Sequence, residues 1–306
     1  MVKRVVITNY LGESVEYKIE GVDVYKNKGL LITEIEGLGP TGADVIFTKL
    51  VSTDGSLFNT SRLNERNIVV HANFTWADTI EEARLSSYKF FPLGKKVRIL
   101  VETENRTGYA DGYVERNEPN IFKSDSDVMI SILCESPYFT DVDGETTSES
   151  LSNIIPMFEF EYENEGTSLN TVFSEYAVKN KMILDYDGES EIGFSIVLHA
   201  VEAVVNPQIF FINDGISISI PTARATAMAG TDSFSNGDDI IITSMPLKKS
   251  IVYQHNGVIT NIFSIFPKDI GWPKLYPGQN AFMFTADSGE DNLRLYVRYT
   301  KRYEGV

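Results

Sequence analysis

The chain has 306 residues, of which 42% are hydrophobic and 11% are aromatic. This composition supplies a packed core and excludes a disordered chain, and the length predicts two domains of roughly 150 residues each. The net charge of −16 disfavours proteins that bind nucleic acid or anionic lipid, because both ligands are themselves negatively charged.

No stretch of the sequence predicts a membrane segment. A spanning helix needs ~20 consecutive apolar residues, and no run approaches that length. The first ten residues lack the apolar region of a secretory signal, so we expect synthesis in the cytoplasm and no membrane partner. Cys134 is the single cysteine, and its neighbours Ile132 and Leu133 predict a buried thiol without a disulfide.

Alternation of apolar and polar residues predicts a mainly β protein. In the run 67–76, the side chains of Ile68, Val70, Ala72, Phe74 and Trp76 fall on one face of a strand. The same period of two predicts further strands over 97–101, 128–134, 192–198, 216–220 and 293–299.

Six Asp-Gly or Asn-Gly pairs predict tight turns between antiparallel strands, because these residues tolerate a positive φ. The pairs lie at 54–55, 111–112, 187–188, 214–215, 236–237 and 256–257. The clearest predicted hairpin joins the apolar runs 208–212 and 216–220.

One helix is predicted, beginning after Thr79. Thr79 and Glu82 have the spacing of a capping box, and Ala83 and Ser87 follow at helical intervals. Pro92 and Gly94 end the pattern.

A polar stretch without periodicity, residues 140–153, predicts a linker or exposed loop. Net charge also changes there, from −4 over residues 1–140 to −12 over 141–306. We therefore expect two domains, 1–140 and 141–306.

No arrangement of residues predicts catalysis, a cofactor or a metal site. The run 37–42 (GLGPTG) fits a dinucleotide-binding glycine pattern, but the strand-like run 43–48 follows it where that motif needs a helix, so a loop is expected. His71, His199 and His255 are too far apart in sequence for a metal or catalytic motif and are interpreted as structural. The expectation is a protein that is not an enzyme.

Two features keep a binding function open. Thirteen acidic residues lie between 141 and 191, and Asp185, Asp187, Glu189 and Glu191 alternate along one strand face. Calcium binding is the alternative there, but the D-x-D-x-D-G loop is missing, so a solvated acidic face is favoured. Near the end of the chain are four aromatic residues suited to stacking on sugars, although core packing is favoured for them: Trp272, Tyr276, Phe282 and Phe284.

Several stretches together resemble a known family. They are 111–122 (DGYVERNEPNIF) with 136–139 (SPYF), the upstream runs 48–50, 54–56 and 66–69 (TKL, DGS, RNIV), and the downstream runs 275–280 (LYPGQN) and 299–305 (YTKRYEG). In these stretches the chain is similar to the distal tail (Dit) proteins of long-tailed phages that infect Gram-positive bacteria.

The resemblance implies a β-rich ring-forming domain with one α-helix, followed by a galectin-like or jelly-roll β-sandwich, with the last strand packing back on the first domain. It also implies a virion protein of the tail tip or baseplate, a homohexameric ring that joins the tail tube protein to a tail-associated tip protein and to receptor-binding or baseplate proteins. DNA would pass through the ring without specific binding. The alternative is a carbohydrate-binding module for host cell-wall glycans. The residues of the oligomer and partner interfaces are not identifiable at this stage.

Overall fold

The structure, a computed structural model, describes residues 1–18, 30–51, 54–74, 79–120, 127–149, 153–156, 174–177 and 181–306. Trp76 and the acidic residues between 157 and 173 lie outside this set. The chain divides into two compact units. The N-terminal unit comprises residues 1–144 with 302–306, and the C-terminal unit comprises residues 145–301.

The N-terminal unit is built on one antiparallel sheet, with the strand order β2-β1-β7-β8-β9-β6-β3. The strands are β1 (Val2–Thr8), β2 (Ser14–Lys18), β3 (Leu30–Glu36), β6 (Arg66–Phe74), β7 (Lys96–Thr103), β8 (Thr107–Pro119) and β9 (Asp127–Cys134). Two short strands extend it, because β10 (Phe139–Asp141) pairs with both β8 and β23 (Arg302–Tyr303). A separate hairpin is formed by β4 (Ala43–Lys49) and β5 (Ser56–Leu63).

The core of this unit lies on one face of the sheet, where the predicted alternation places the apolar side chains. Ile68, Val70, Ile99 and Ile130 are fully buried there. Helix α1 (Ile80–Phe90) adds Ala83 and Phe90 to the same core, and its Ser87 hydroxyl donates to Asn117 Oδ1 of β8 at 2.8 Å. The predicted capping is confirmed, since Thr79 Oγ1 accepts from the Glu82 amide.

The C-terminal unit contains two antiparallel sheets that share one core. The larger has the order β11-β22-β15-β18-β19-β20, from β11 (Thr146–Glu149), β15 (Ser195–Ala200), β18 (Asp239–Thr243), β19 (Ser250–His255), β20 (Val258–Asn261) and β22 (Leu293–Tyr299). The smaller has the order β14-β21-β16-β17, from β14 (Lys181–Tyr186), β16 (Gln208–Phe211), β17 (Ile216–Ser219) and β21 (Gly278–Thr285). Two further strands, β12 (Asn153–Pro156) and β13 (Ser174–Ala177), pair with each other in the antiparallel direction.

Aromatic side chains from both sheets fill this core. Phe194 leads into β15 of the larger sheet, and its ring lies 6.3 Å from that of Phe211 and 5.9 Å from that of Phe282, which belong to the smaller sheet. The predicted hairpin 208–220 is confirmed as β16 and β17, joined through Gly215 with a φ of +66°. The mainly β fold class is thus confirmed.

Four expectations are wrong, each for a physical reason. A second helix, α2 (Thr222–Ala229), begins at Pro221 and ends at Gly230 in the left-handed conformation. Part of the predicted linker, Thr146–Glu149, is strand β11, because its backbone pairs with β22 despite its polar side chains. The pairs at 187–188 and 236–237 do not form hairpins, because the strands on either side of each belong to different sheets.

The fourth is the pair Asp111-Gly112, which lies inside β8 and forms no turn. Gly112 is instead required by close packing, because a Cβ there would lie 2.8 Å from Cys134 Sγ and 2.8 Å from Ile132 Cγ2 on the neighbouring strand.

Candidate assembly surface

The hairpin of β4 and β5, hereafter the exposed hairpin, is the most unusual surface of the N-terminal unit. It pairs only with itself in the described part of the chain, and nearly all of its residues are exposed. A bulge at Asn59 shifts the register, so that Phe47 lies opposite Phe58 and their rings meet edge to face at 6.0 Å. An isolated two-stranded hairpin is only marginally stable in water, so this one needs a covering surface.

One face of the exposed hairpin carries its aromatic side chains. Alternation along β4 places Val45 and Phe47 on one face, with Phe58 beside them. These three side chains are 46%, 55% and 55% exposed. The opposite face carries Asp44 and Arg62, which lie opposite one another in the register, and it also carries the exposed apolar residues Ile46 and Leu57. An apolar face of this kind, left open to water, marks a protein contact.

A groove lies between the edge strands β2 and β3 of the main sheet and is hereafter the edge groove. Its volume is about 220 Å³. The floor is formed by the buried side chains of Val5 and Ile32, and the walls are formed by Val2, Tyr17, Thr33, Glu34, Ile35 and Leu38. It is the second apolar feature of this unit that faces outward.

Buried Arg66 holds together the segments next to these surfaces. Its guanidinium donates to the carbonyl oxygens of Pro137 at 2.6 Å, Gly39 at 2.7 Å and Glu304 at 2.6 Å, and also to that of Gly37. The ring of Phe139 lies 4.3 Å beneath it. Burial lowers the pKa of Arg66 from its ordinary value, and the backbone carbonyls replace the water that would otherwise solvate the charge.

The last residues of the chain are fixed in the N-terminal unit by further contacts. Arg106 donates to the carbonyl of Gly305 at 3.1 Å, and its guanidinium lies 4.7 Å from the centre of the Tyr303 ring. The Tyr303 hydroxyl donates to Asp141 at 2.9 Å. Three of the stretches that resemble the distal tail family, 66–69, 136–139 and 299–305, therefore meet at one structural junction.

The glycine-rich run 37–42 is a loop between β3 and β4, as expected. Gly37 has a φ of +82°, and a Cβ there would lie 2.0 Å from the Asn67 carbonyl oxygen. The loop holds the Arg66 side chain through two carbonyls, and no helix follows that would complete a phosphate site.

Each histidine contacts an acidic residue. His71 lies 3.5 Å from Glu36, and His199 Nδ1 lies 2.7 Å from Asp239. His255 Nδ1 lies 2.5 Å from Asp238, which is 1% exposed and also accepts from the hydroxyl of Tyr253. Burial is the main cause that raises the pKa of Tyr253 to about 12. These contacts support the interpretation of the histidines as structural.

The acidic strip consists of Asp185, Asp187, Glu189 and Glu191, which are all exposed along β14 and its continuation. Glu191 pairs with Lys274, and Asp187 pairs with Lys301 at 2.9 Å. Across the residues that the structure describes, no three His, Cys, Asp or Glu side chains converge as a metal site.

The four late aromatic residues do not form an exposed platform. Phe282 and Phe284 are buried in the core, as favoured above. Trp272 packs beside Phe263 at 5.7 Å and beneath Lys249. The Tyr276 hydroxyl donates to Asp214 at 2.6 Å, and this bond is the main cause that raises its pKa to about 12.

The C-terminal unit also has apolar side chains on the outer face of its smaller sheet. Ile183, Phe210 and Met283 are exposed there on three neighbouring strands, and the exposed Ile212 directly follows β16. Sequence reasoning missed both exposed apolar faces, since alternation alone does not distinguish a face turned toward the core from one turned outward.

Within the described residues, no helix is long and apolar enough to cross a membrane. No family model matches the sequence. No curated protein matches it.

Solved structures do match. The distal tail protein Dit (gp 19.1) of phage SPP1 superposes with a TM-score of 0.62 and 12% sequence identity, over 97% of this chain and 98% of the SPP1 chain. A chain of the phage P2 baseplate, in its activated conformation with calcium, covers the same shares with a TM-score of 0.44 and 11% identity, and it adds nothing to the fold assignment. The protein thus has the fold of a distal tail protein, as the sequence resemblance implied.

Proposed function

We propose that this protein is a structural subunit of a phage tail tip or baseplate, which forms a homohexameric ring between the tail tube protein and a tail-associated tip protein. The exposed hairpin is the observation that carries the proposal. SPP1 Dit, which shares the fold, is described as a hub of the adsorption apparatus of phages that infect Gram-positive bacteria.

The physical argument concerns what covers the apolar face of the exposed hairpin. Phe47 and Phe58 are exposed on a two-stranded ribbon that pairs with no other strand in the described part of the chain. Identical copies arranged head to tail cover such a face in every subunit, and a closed ring leaves none open. The six-fold number follows from the family resemblance.

The charge distribution suits a passage for DNA. The net charge of −16 repels phosphate, so DNA slides past the ring without adhering. Most of the excess lies beyond residue 140. We expect the acidic region between Asp141 and Glu191, which includes the acidic strip, to be peripheral and the channel to be only mildly negative. The protein acts in the virion, at the tail tip, where it holds baseplate or receptor-binding proteins without catalysing a reaction.

The test is the mass and shape of the purified protein. Light scattering should give six times the monomer mass, and negative-stain images should show a six-fold annulus. The double variant Phe47→Ser, Phe58→Ser should be a folded monomer, because it removes the apolar contact.

The matched control is Ile183→Ser, which alters an equally exposed apolar residue of the C-terminal unit. This variant should keep the hexamer. A wild-type protein that stays monomeric at every concentration would refute the ring, and so would hexamers that survive the double substitution with unchanged stability to dilution.

A further inference from the structure

A head-to-tail ring requires two different patches on each chain that fit one another. Among its described residues, the N-terminal unit has an apolar projection, the exposed hairpin, and an apolar recess, the edge groove. The hairpin does not fill the groove of its own chain, because Phe47 and Phe58 remain about half exposed. We propose that the exposed hairpin of one copy docks in the edge groove of the next, an inference that rests on the proposed ring.

The size of the groove fits an aromatic side chain. Its volume is about 220 Å³. An apolar cavity of about 150 Å³ is enough to take up benzene, so one phenyl ring fits with its Cβ. The groove floor is rigid, because Val5 and Ile32 are part of the packed core. Phe47 or Phe58 is the side chain that enters.

Charges at the two surfaces are complementary. Glu34 lies on the rim of the groove and is exposed. Alternation along β4 places Lys49 on the same hairpin face as Phe47. Among the described residues, neither Glu34 nor Lys49 has an ion-pair partner within its own chain. Docking brings the ammonium of one copy to the carboxylate of the other.

Backbone hydrogen bonding also suits this pairing. In the described part of the chain, β2 and β3 each pair on one side only, and so do β4 and β5. Open strand edges readily accept another strand. A hairpin that lies along such an edge adds main-chain hydrogen bonds to the side-chain contact.

Charge reversal is the first test. Glu34→Lys and Lys49→Glu should each reduce the fraction of chains in hexamers at least tenfold at a fixed protein concentration. The double variant should restore that fraction to within twofold of the wild type. The control is Glu118→Lys, an exposed charge on β8 outside the groove, which should leave assembly unchanged. Circular dichroism establishes that each variant is folded.

Disulfide trapping is the second test. The pair Phe47→Cys and Leu38→Cys in one chain should give, on oxidation, a ladder of covalently linked chains up to six. The control pair Phe47→Cys and Tyr113→Cys places the second thiol on an exposed position of β8 and should give no ladder. Cys134 is buried and does not interfere.

The outcomes separate the two proposals. Docking in the groove is supported if the charge-reversal double variant again forms hexamers and if only the Phe47→Cys, Leu38→Cys pair gives a ladder. If the wild type forms hexamers but neither result is obtained, docking in the groove is refuted and the proposed ring is not. A ladder from the control pair has the same meaning. A wild-type protein without hexamers overturns both.

Discussion

Two hairpins of similar sequence pattern have different surroundings in the two units. The pair β16 and β17 buries Ile209, Phe211 and Ile218 in the core of a sandwich. The pair β4 and β5 leaves Phe47 and Phe58 exposed. Both carry aromatic residues and a glycine turn, so the difference lies in what each hairpin packs against. The first contributes to the core of one chain, and the second carries apolar side chains that the described part of its own chain leaves uncovered.

The largest expected effect contrasts the two hairpins directly. Phe211→Ala removes a ring that contacts Phe194 and Phe282, and should lower the unfolding free energy of the C-terminal unit by about 3 to 5 kcal/mol. Phe58→Ala should change the stability of the monomer by less than about 0.5 kcal/mol. Urea unfolding of dilute, monomeric protein measures both. Equal losses would contradict the comparison, because the exposed hairpin would then belong to a core.

The next largest effect is expected at Arg66, whose buried hydrogen bonds stabilise the N-terminal unit although the exposed hairpin does not. Arg66→Ala leaves the carbonyls of Gly39, Pro137 and Glu304 without their donor and should cost about 3 kcal/mol. Arg66→Lys should recover little, because an ammonium does not reproduce the planar fork. Thermal unfolding measures the loss, and Arg224→Ala, at an exposed position of α2, is the neutral control. If Arg66→Lys had the stability of the wild type, the positive charge of residue 66 would be sufficient and its fork of donors would not be needed.

A smaller loss is expected where the end of the chain meets the N-terminal unit. Tyr303→Phe removes the hydroxyl that donates to the buried carboxylate of Asp141 at 2.9 Å. The expected cost is about 1 to 2 kcal/mol in the same unfolding experiment. An unchanged midpoint would mean that the ring of Tyr303, without its hydroxyl, holds the C-terminal residues in place.

The smallest effect is a pH dependence on the outer surface of the main sheet. Arg98 binds both oxygens of Asp111, at 2.6 and 2.8 Å, and this bond is the main cause that lowers the pKa of Asp111. Because the pKa of Asp111 is lower in the folded state, its ionised carboxylate stabilises the fold at pH values above the ordinary carboxyl pKa of about 4. This stabilisation is lost as the pH falls through the pKa of the folded state.

Removing the pair tests this assignment. Arg98→Met should cost about 0.5 kcal/mol at pH 7, because the pair is partly exposed. The difference from wild type should shrink at pH 3. A difference of the same size at both pH values would assign the loss to packing of the Arg98 side chain on Tyr109, which lies 4.2 Å below its guanidinium.

Local patterns predicted the strands well, because period-two alternation reflects burial on one face of a sheet. They correctly placed Ile68 and Val70 of β6 and Leu295 and Val297 of β22 in the core. They failed at Gly112, where the reason for glycine is the adjacent strand, which no local pattern reveals.

The candidate site was less predictable than the fold. The sequence around Arg66 does not indicate which carbonyls surround it, since these come from residues 37–39, 137 and 304. The apolar residues of the exposed hairpin look like those of any half-buried strand. Whether such a face meets its own core or a second copy depends on the tertiary structure.

The pairing of β10 with β23 has a consequence for how the two units are connected along the chain. Phe139 lies opposite Tyr303, so the polypeptide leaves the N-terminal unit and re-enters it on two adjacent strands. Residues 145–301 are thus an insertion within what is otherwise a small hairpin connection. Such a site tolerates exchange of the inserted piece, because its ends are already side by side. Residues 145–301 can therefore be exchanged for another folded segment whose ends lie equally close together, without a change in the residues of the N-terminal unit.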